Sequence, residues 1–164
     1  MYTNLIKHRN KLDFKKTDIS WPTFTEEVND MSESFGQTSI QNKLLSEYLN
    51  TYHTIIKHNS IVNFLNYNLD SHLRLFRYNQ HLTWHDDGGD NRAYAVTYYL
   101  NKTWNESWGG ELMFKSDEGS GFIPVLGNSM CIVKVGLRHK VNAVLKKTHP
   151  RLSIQTWVYN KEKE

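Results

Sequence analysis

From residue 73 to residue 159 the sequence is a series of short runs rich in aromatic and β-branched residues, separated by turn signals. Gly109-Gly110 and Gly127-Asn128 are two of these signals. Such runs fit the pleated, half-buried surface of a strand, whereas glycine and asparagine favour turns. Strands are predicted at 73–78, 93–100, 111–114, 121–126, 129–135, 138–144 and 152–159. Several short strands at this spacing are typical of a β-sandwich or barrel.

The residues before this series carry helical patterns. Apolar side chains recur at three- and four-residue spacing over 39–58 and predict an amphipathic helix. Thr23 or Thr25 is suited to cap a short helix over 26–34. With 164 residues the chain is expected to form one domain, with helical support over about 1–70 and a β core over about 71–160. The predicted class is therefore mainly β with N-terminal helices.

Composition and charge exclude several classes of protein. The net charge of +3 is small and no basic stripe is present, so nucleic-acid binding is not expected. Cys131 is the single cysteine and has no partner for an internal disulfide. Residues 1–16 lack the apolar core of a signal peptide, and no run reaches the length of a membrane span. We therefore expect a cytoplasmic protein without a membrane partner, while the oligomeric state is not indicated.

An imidazole and a carboxylate stand two positions apart at His85 and Asp87. In extended backbone, residues i and i+2 share a face, so these two side chains are expected to converge. Gly88-Gly89 then ends the strand. His139 is the leading candidate for a third ligand. Two neutral imidazoles and one carboxylate leave positions open on an octahedral ion, which suits non-haem Fe(II) chemistry with oxygen.

Two rival ligands remain open at this point. Asp86 is adjacent to Asp87, but neighbouring strand residues point to opposite faces, so Asp86 is expected to point away. His149 competes with His139 as the distal ligand. Because His149 shares a face with Arg151, it would bring the metal against the position of that guanidinium. The sequence therefore favours Asp87 and His139.

A zinc-protease pattern is the other metal-binding alternative. His81 and His85 stand four residues apart, as they do on a zinc-binding helix. However, no glutamate lies beside His81, and two glycines follow almost at once. Both observations disfavour a helix that carries a metalloprotease site.

Arg151 is suited to hold the cosubstrate that oxygen activation at Fe(II) requires. A 2-oxo acid that chelates the metal supplies the electrons, and its distal carboxylate is best held by a planar guanidinium. Arg151 opens a predicted strand twelve residues after His139. Ser153 shares its face and has a hydroxyl that can donate to the same carboxylate. The sequence thus predicts a carboxylate clamp beside the metal.

The same region carries further short motifs. They are Arg77-Tyr78, Trp84-His85-Asp86-Asp87, Arg92, Tyr98-Tyr99-Leu100-Asn101, Trp104, Gly109-Gly110-Glu111-Leu112, Pro124, His139-Lys140-Val141, Arg151-Leu152-Ser153-Ile154 and Trp157. In this order and at these distances they resemble the Fe(II)- and 2-oxoglutarate-dependent dioxygenases, in particular the prolyl-hydroxylase-like branch. The gap from His139 to Arg151 is a few residues longer than is usual in that family. The resemblance implies a double-stranded β-helix, a jelly-roll of the cupin-like type.

The resemblance assigns a role to each matching position. It implies that His85, Asp87 and His139 bind Fe(II), and that Arg151 binds the C5 carboxylate of 2-oxoglutarate. The hydroxyl of Tyr99 matches one that meets this carboxylate in prolyl hydroxylases of this branch. The other positions assigned to the cosubstrate pocket are Ser153, Val141 and Trp157, and those assigned to the substrate mouth are Arg92, Tyr78 and Trp84.

The expected activity is hydroxylation of an unactivated C–H bond with Fe(II), 2-oxoglutarate and O2, and the resemblance also allows for ascorbate. The carboxylate of Asp87 favours hydroxylation, since related halogenases have a small residue there. The expected substrate is a prolyl or other amino-acid residue in a protein or peptide. The alternatives are a free amino acid or small metabolite as the substrate, a non-catalytic cupin-like binding protein, or a carbohydrate- or partner-binding jelly roll. The last would use an aromatic platform of Trp104, Trp108 and Tyr98.

Overall fold

The computed structural model of the chain describes residues 15–16, 19–22, 27–30, 32–36, 43–89 and 91–161. These residues form twelve strands, one α-helix, α1 (Lys43–Lys57), and one 3-10 turn (Glu106–Trp108). The strands are β1 (Lys15–Lys16), β2 (Ile19–Pro22), β3 (Glu27–Asp30), β4 (Glu33–Gly36), β5 (Tyr67–Phe76), β6 (Leu82–His85), β7 (Arg92–Tyr99), β8 (Leu112–Ser116), β9 (Gly119–Ile123), β10 (Met130–Lys134), β11 (Arg138–Val141) and β12 (Arg151–Asn160).

The strands form two antiparallel sheets that enclose an apolar core. The major sheet has the order β1-β4-β5-β12-β7-β10, and the minor sheet has the order β2-β3-β6-β11-β8-β9. Ala95, Tyr99 and Val133 of the major sheet pack with Leu112 of the minor sheet, and all four are buried. This arrangement confirms the expected mainly β, jelly-roll architecture.

Helix α1 covers the outer face of the major sheet. Its buried residues Leu49, Tyr52 and Ile56 follow a spacing of three and four, which places them on one side of the helix. They pack against Leu73 and Ile154 of the sheet. The predicted helix over 39–58 is confirmed for 43–57, whereas 39–42 lie outside the described residues. Among the described residues, no helix is long and apolar enough to cross a membrane.

The prediction of a short helix over 26–34 is wrong. Residues 27–30 and 33–34 belong to strands β3 and β4, which pair with β6 of the minor sheet and β5 of the major sheet, whereas residues 26 and 31 lie outside the described residues. The N-terminal support expected over about 1–70 thus contains strands β1 to β4 as well as helix α1 in its described part, whereas residues 1–14 lie outside that part. Valine, asparagine, aspartate and serine are weak helix formers, so the backbone hydrogen bonds of an available sheet edge outweigh the local preference.

Strand β5 begins at Tyr67, six residues before the predicted strand at 73–78, and runs through residues of low strand propensity. Asn68 and Asp70 are poor strand formers, yet all ten residues of β5 pair with β12, from Arg151 opposite Phe76 to Asn160 opposite Tyr67. The backbone hydrogen bonds of the long antiparallel ladder with the central strand β12 outweigh the low strand propensity of these two residues. Its length matters because β5 and β12 together form one wall of the site described below.

Gly109 is expected to be essential for stability. Its φ of +69° is left-handed, and a Cβ there would overlap the carbonyl oxygen of Ala143. Gly109→Ala therefore combines a left-handed penalty with a steric clash, and we expect a loss of about 2–4 kcal/mol in the free energy of unfolding. Urea denaturation of the variant and the wild type measures this loss.

Gly119→Ala is the matched control for this prediction. Gly119 also has a positive φ, +138°, but a Cβ there meets nothing within 4 Å. The difference between the two variants isolates the contact with Ala143. Equal losses in the two variants would show that this close approach contributes nothing.

Candidate metal and cosubstrate site

Two histidine rings face each other across neighbouring strands of the minor sheet. His85 ends β6 and is paired directly with His139 of β11, and the ring centroids are 4.1 Å apart. The Nδ1 atom of each ring lies 2.8 Å from the carbonyl oxygen two residues earlier, that of Thr83 and that of Leu137. Because a carbonyl oxygen can only accept, each Nδ1 carries the hydrogen and each Nε2 keeps its lone pair for a metal.

The carboxylate of Asp87 lies against both rings. Its Oδ1 is 3.5 Å from Nε2 of His85, and its Oδ2 is 3.2 Å from Nε2 of His139. Two atoms bound at right angles to a metal, each about 2.0–2.2 Å from it, are about 3 Å apart. The observed spacing therefore fits ligands of one ion.

The route by which Asp87 reaches this position differs from the expectation. Strand β6 ends at His85, and Asp87 has a left-handed φ of +58°. The two side chains converge through a turn and not through continuous extended backbone. The Asp86 side chain accepts from the Gly88 N–H at 2.9 Å, and the Asp86 carbonyl accepts from the Gly136 N–H at 2.9 Å. These bonds stabilise the turn, and aspartate is one of the few residues that tolerate this conformation.

The three side chains present electron pairs to a common centre. One ligand atom from each lies within 4.8 Å of the others, and neither oxygen of Asp87 accepts a hydrogen bond from a described residue. Burial raises the pKa of Asp87, but His139, His85 and Arg92 lower it more, so the carboxyl is ionised. Burial lowers the pKa of His139, but the Asp87 carboxylate outweighs burial and raises it. The site favours positive charge at its centre, which a divalent metal supplies.

The rival ligands do not join this group. Asp86 uses its carboxylate to accept from Gly88, as described above. His149 is exposed and stacks on Trp108, with ring centroids 4.2 Å apart. Nδ1 of His81 lies 3.3 Å from the carbonyl oxygen of Asn79. Among the described residues, His85, Asp87 and His139 are the one group whose side chains are close enough to hold a metal ion together.

Arg151 is a buried cation in the same cavity. It is 2% exposed, and its guanidinium carbon lies 5.1 Å from the ring centroid of Phe76 and 5.0 Å from that of Tyr99. Nη1 donates to the Ser153 hydroxyl at 3.3 Å, while Nε has no hydrogen-bond partner among the described residues. A buried guanidinium with so few acceptors is costly unless an anion completes its hydrogen bonds. The arrangement is suited to a carboxylate ligand.

Tyr99 adds a second unsatisfied group beside this guanidinium. Tyr99 is fully buried, and its hydroxyl has no hydrogen-bond partner among the described residues. Burial raises the pKa of Tyr99 and the charge of Arg151 opposes that shift, so the phenol remains neutral and able to donate. An acceptor between Tyr99 and Arg151 would satisfy both.

The metal group and the guanidinium line one cavity between the two sheets. Its apolar wall consists of Phe76, Leu82, Ala95, Leu112, Val133, Val141 and Trp157. Val141 and Trp157, two of the positions that the resemblance assigns to the cosubstrate pocket, are therefore part of this wall. Its remaining polar residues, which sequence reasoning missed, are Arg74, Thr97 and Gln155. Continuing the two-residue alternation from Arg151 and Ser153 along the strand would have indicated Gln155.

The residues expected at the substrate mouth are dispersed. Arg92 is near the cavity, with its guanidinium carbon 4.4 Å from the ring centroid of Trp157. Trp84 is outside the cavity lining and lies beneath Lys115, whose Nζ is 4.6 Å from its ring centroid. Tyr78 is 42% exposed and is also outside the cavity lining. Arg92 is therefore the one of the three placed near the metal group.

The expected aromatic platform for carbohydrate does not form. Tyr98 packs on Tyr52 of α1, with ring centroids 5.7 Å apart, on the outer face of the major sheet. Trp104 packs with the core between the sheets, and its Nε1–H donates to the carbonyl of Gly109 at 2.9 Å. Tyr98 therefore lies outside the cavity as well.

Comparison with protein families gives one direct match. Residues 71–159, more than half of the chain, match the model described as the 2OG-Fe(II) oxygenase superfamily. This range contains every residue of the metal group and the guanidinium clamp. Among curated protein sequences, none matches the chain.

Several solved structures share the fold at low sequence identity. A prolyl-4-hydroxylase of Pseudomonas putida has a TM-score of 0.72 at 16% identity, covering 97% of this chain and 83% of that one. A prolyl hydroxylase of Trichoplax adhaerens, solved with a hypoxia-inducible-factor peptide fragment, has a TM-score of 0.70 at 14% identity, with coverages of 96% and 76%. HygX of Streptomyces hygroscopicus, solved with nickel and 2-oxoglutarate, has a TM-score of 0.67 at 10% identity, with coverages of 98% and 78%.

Proposed function

The chain belongs to the 2OG-Fe(II) oxygenase superfamily, and from that premise we propose that it hydroxylates a prolyl or other amino-acid residue of a protein or peptide. It is a 2-oxoglutarate-dependent dioxygenase that uses Fe(II). The observation that carries the proposal is the position of the His85, Asp87 and His139 ligands in one cavity with the buried guanidinium of Arg151. Such a cavity is suited to a metal and a diacid at once.

Each residue of the site has a distinct task in this proposal. When bound, Fe(II) and 2-oxoglutarate supply the chemistry by which O2 and a C–H bond give an alcohol, with carbon dioxide and succinate released. His85, Asp87 and His139 hold the metal, and the carbonyls of Thr83 and Leu137 keep both imidazoles in the metal-binding tautomer. Arg151 orients the cosubstrate through its C5 carboxylate.

The remaining walls control what enters the site. Ser153 accepts from Arg151 and keeps its own hydroxyl hydrogen, so it is able to donate to the same carboxylate. Phe76, Leu82 and Leu112 present apolar surface that excludes water from the cosubstrate. Trp157 and Arg92 lie together and are suited to border the entry of the substrate.

A screen for substrate-stimulated succinate release tests the function. Proline-containing peptides, other peptides and free amino acids are offered with Fe(II), 2-oxoglutarate and O2, with and without ascorbate, and mass spectrometry seeks one added oxygen atom. Stimulation by a peptide together with its oxygenation is the expected result. Stimulation by free amino acids alone would replace the peptide substrate with a small one. Oxygenation that persists without 2-oxoglutarate would contradict the proposal.

Tyr99→Phe is expected to affect binding and stability in opposite directions. Loss of a hydroxyl that donates to the cosubstrate should raise the KM for 2-oxoglutarate about 5- to 10-fold, which corresponds to one hydrogen bond. Without cosubstrate the same change removes an unsatisfied buried hydroxyl, so thermal stability should be unchanged or higher. Succinate kinetics and thermal melts measure the two effects. A loss of stability with unchanged KM would show that the hydroxyl serves the fold alone.

A further inference from the structure

Alternate residues of β12 line the cavity along its depth. They are Arg151, Ser153, Gln155 and Trp157. Arg151 and Ser153 are 2% and 1% exposed, whereas Gln155 and Trp157 are partly exposed. The cavity is therefore closed at the Arg151 end and opens toward Trp157. At about 3.4 Å per strand residue, Gln155 is about 14 Å along the strand from Arg151.

Gln155 borders the part of the cavity that lies beyond the cosubstrate. In the proposed function, on which this inference rests, the far carboxylate of 2-oxoglutarate is held by Arg151 and Ser153 at the closed end. Gln155 is two residues nearer to the opening than Ser153 and lies opposite Thr97 in the strand register. Its side chain is therefore placed to meet the group that enters after the cosubstrate, which is the substrate.

A buried hydroxyl fixes the orientation of the Gln155 amide. Thr97 is 5% exposed, and its Oγ1 donates to Oε1 of Gln155 at 2.8 Å. With the oxygen held in this way, the amide nitrogen is the end left for a ligand, and it makes no hydrogen bond to a described residue. A primary amide nitrogen only donates, so its partner must be an acceptor.

We propose that Gln155, oriented by Thr97, is a specificity-determining residue that donates to an acceptor oxygen of the substrate residue in the cavity. The acceptor is a carbonyl or carboxylate oxygen, the group that every amino-acid residue carries next to its side chain. A site with such a donor rejects analogues that lack the acceptor, because the amide is then left without a partner. Gln155 thus selects amino-acyl substrates over simple hydrocarbons, which carry no acceptor.

The test compares Gln155→Leu with the wild type on two ligands. The first is the compound that stimulates succinate release most strongly in the screen above, beginning with a proline peptide blocked at both ends. The second is its analogue in which a methylene group replaces the carbonyl of the hydroxylated residue. We expect Gln155→Leu to raise the KM for the first compound about 10-fold or more, with the KM for 2-oxoglutarate changed less than about twofold. The analogue should bind both proteins equally.

Three further variants separate donation from other roles. Gln155→Glu keeps an oxygen for Thr97 but replaces the donor with an acceptor, so it should lose as much affinity for the substrate as Gln155→Leu. Thr97→Val should give part of that loss, and Thr97→Ser should restore the wild-type KM. Gln80→Glu is the matched control outside the cavity, since Gln80 uses its Oε1 to accept from the Arg77 N–H.

Several outcomes would overturn the inference. An unchanged substrate KM in Gln155→Leu would remove Gln155 from recognition, and an equal rise for 2-oxoglutarate would place it in the cosubstrate site. Undiminished binding by Gln155→Glu would show that the amide accepts from the substrate. Absence of stimulation by every compound would instead count against the proposed function, which keeps the two failures distinct.

Discussion

The Asp87→Ala variant is expected to lose more than about 100-fold of its succinate formation at saturating 2-oxoglutarate. Loss of a residue that merely supports a ligand costs 10- to 100-fold in metal affinity or activity, so loss of a ligand should cost more. Asp87 also supplies the one carboxylate of the metal group, and without it the two imidazoles lose the negative charge that offsets the divalent ion. Isothermal titration with Mn(II), without oxygen, measures the metal affinity separately from turnover.

Asp87→Gly is the matched control for backbone strain. Alanine at the φ of +58° carries a penalty of about 1–2 kcal/mol, whereas glycine adopts that conformation readily. Both variants should lose metal and activity alike, while only the alanine variant should lose stability. Undiminished turnover in Asp87→Gly would reject the assignment of this carboxylate as a ligand.

The Arg151→Lys variant is expected to bind 2-oxoglutarate about 10- to 100-fold more weakly. Lysine keeps the charge but cannot form the paired hydrogen bonds of a planar guanidinium, and one lost charge-assisted bond corresponds to about 1.5–3 kcal/mol. The guanidinium also lies over the rings of Phe76 and Tyr99, and a planar guanidinium stacks on aromatic faces, which a compact ammonium group cannot do. The measurement is the apparent KM for 2-oxoglutarate, with oxygen-free binding of the metal–cosubstrate pair as a second readout.

Arg77→Lys is the control for this effect. Arg77 is exposed and lies outside the cavity, so the same chemical change there should leave the KM unchanged. Mn(II) affinity without cosubstrate should be the same in Arg151→Lys and the wild type, because the substitution spares the metal ligands. An unaltered KM in Arg151→Lys would place the carboxylate clamp at another residue.

In the metal group, the sequence predicts the convergence of two side chains correctly but not the backbone conformation that produces it. The spacing of His85 and Asp87 predicts two side chains that converge, and they do. The expected cause, extended backbone through both residues, does not hold, because the strand ends at His85 and Asp87 is left-handed. The chemistry of the residue types was readable from the sequence, whereas the turn depends on bonds such as that between Asp86 and Gly136, fifty positions apart.

The alternation of strand residues is a local property that also determines which faces Trp84 and Gln155 occupy. Because His85 faces the cavity, its neighbour Trp84 faces the other side of the sheet, where it lies beneath Lys115. Likewise Gln155 follows from Arg151 and Ser153 by the same period of two. These positions were within reach of local reasoning once one residue of each strand had been placed.

By itself the sequence determined the elements whose apolar residues recur with a clear period, namely helix α1 and the strands from β7 to β12. It also indicated the chemistry of the proposed site through His85, Asp87, His139 and Arg151. Only the tertiary structure decided that residues 27–30 and 33–36 are strands, that Tyr98 lies beneath α1, and that Thr97 meets Gln155. The physical reason is that period and residue type act over a few neighbouring positions. Sheet pairing joins backbone groups that are distant along the chain, and its hydrogen bonds and burial outweigh weak local preferences.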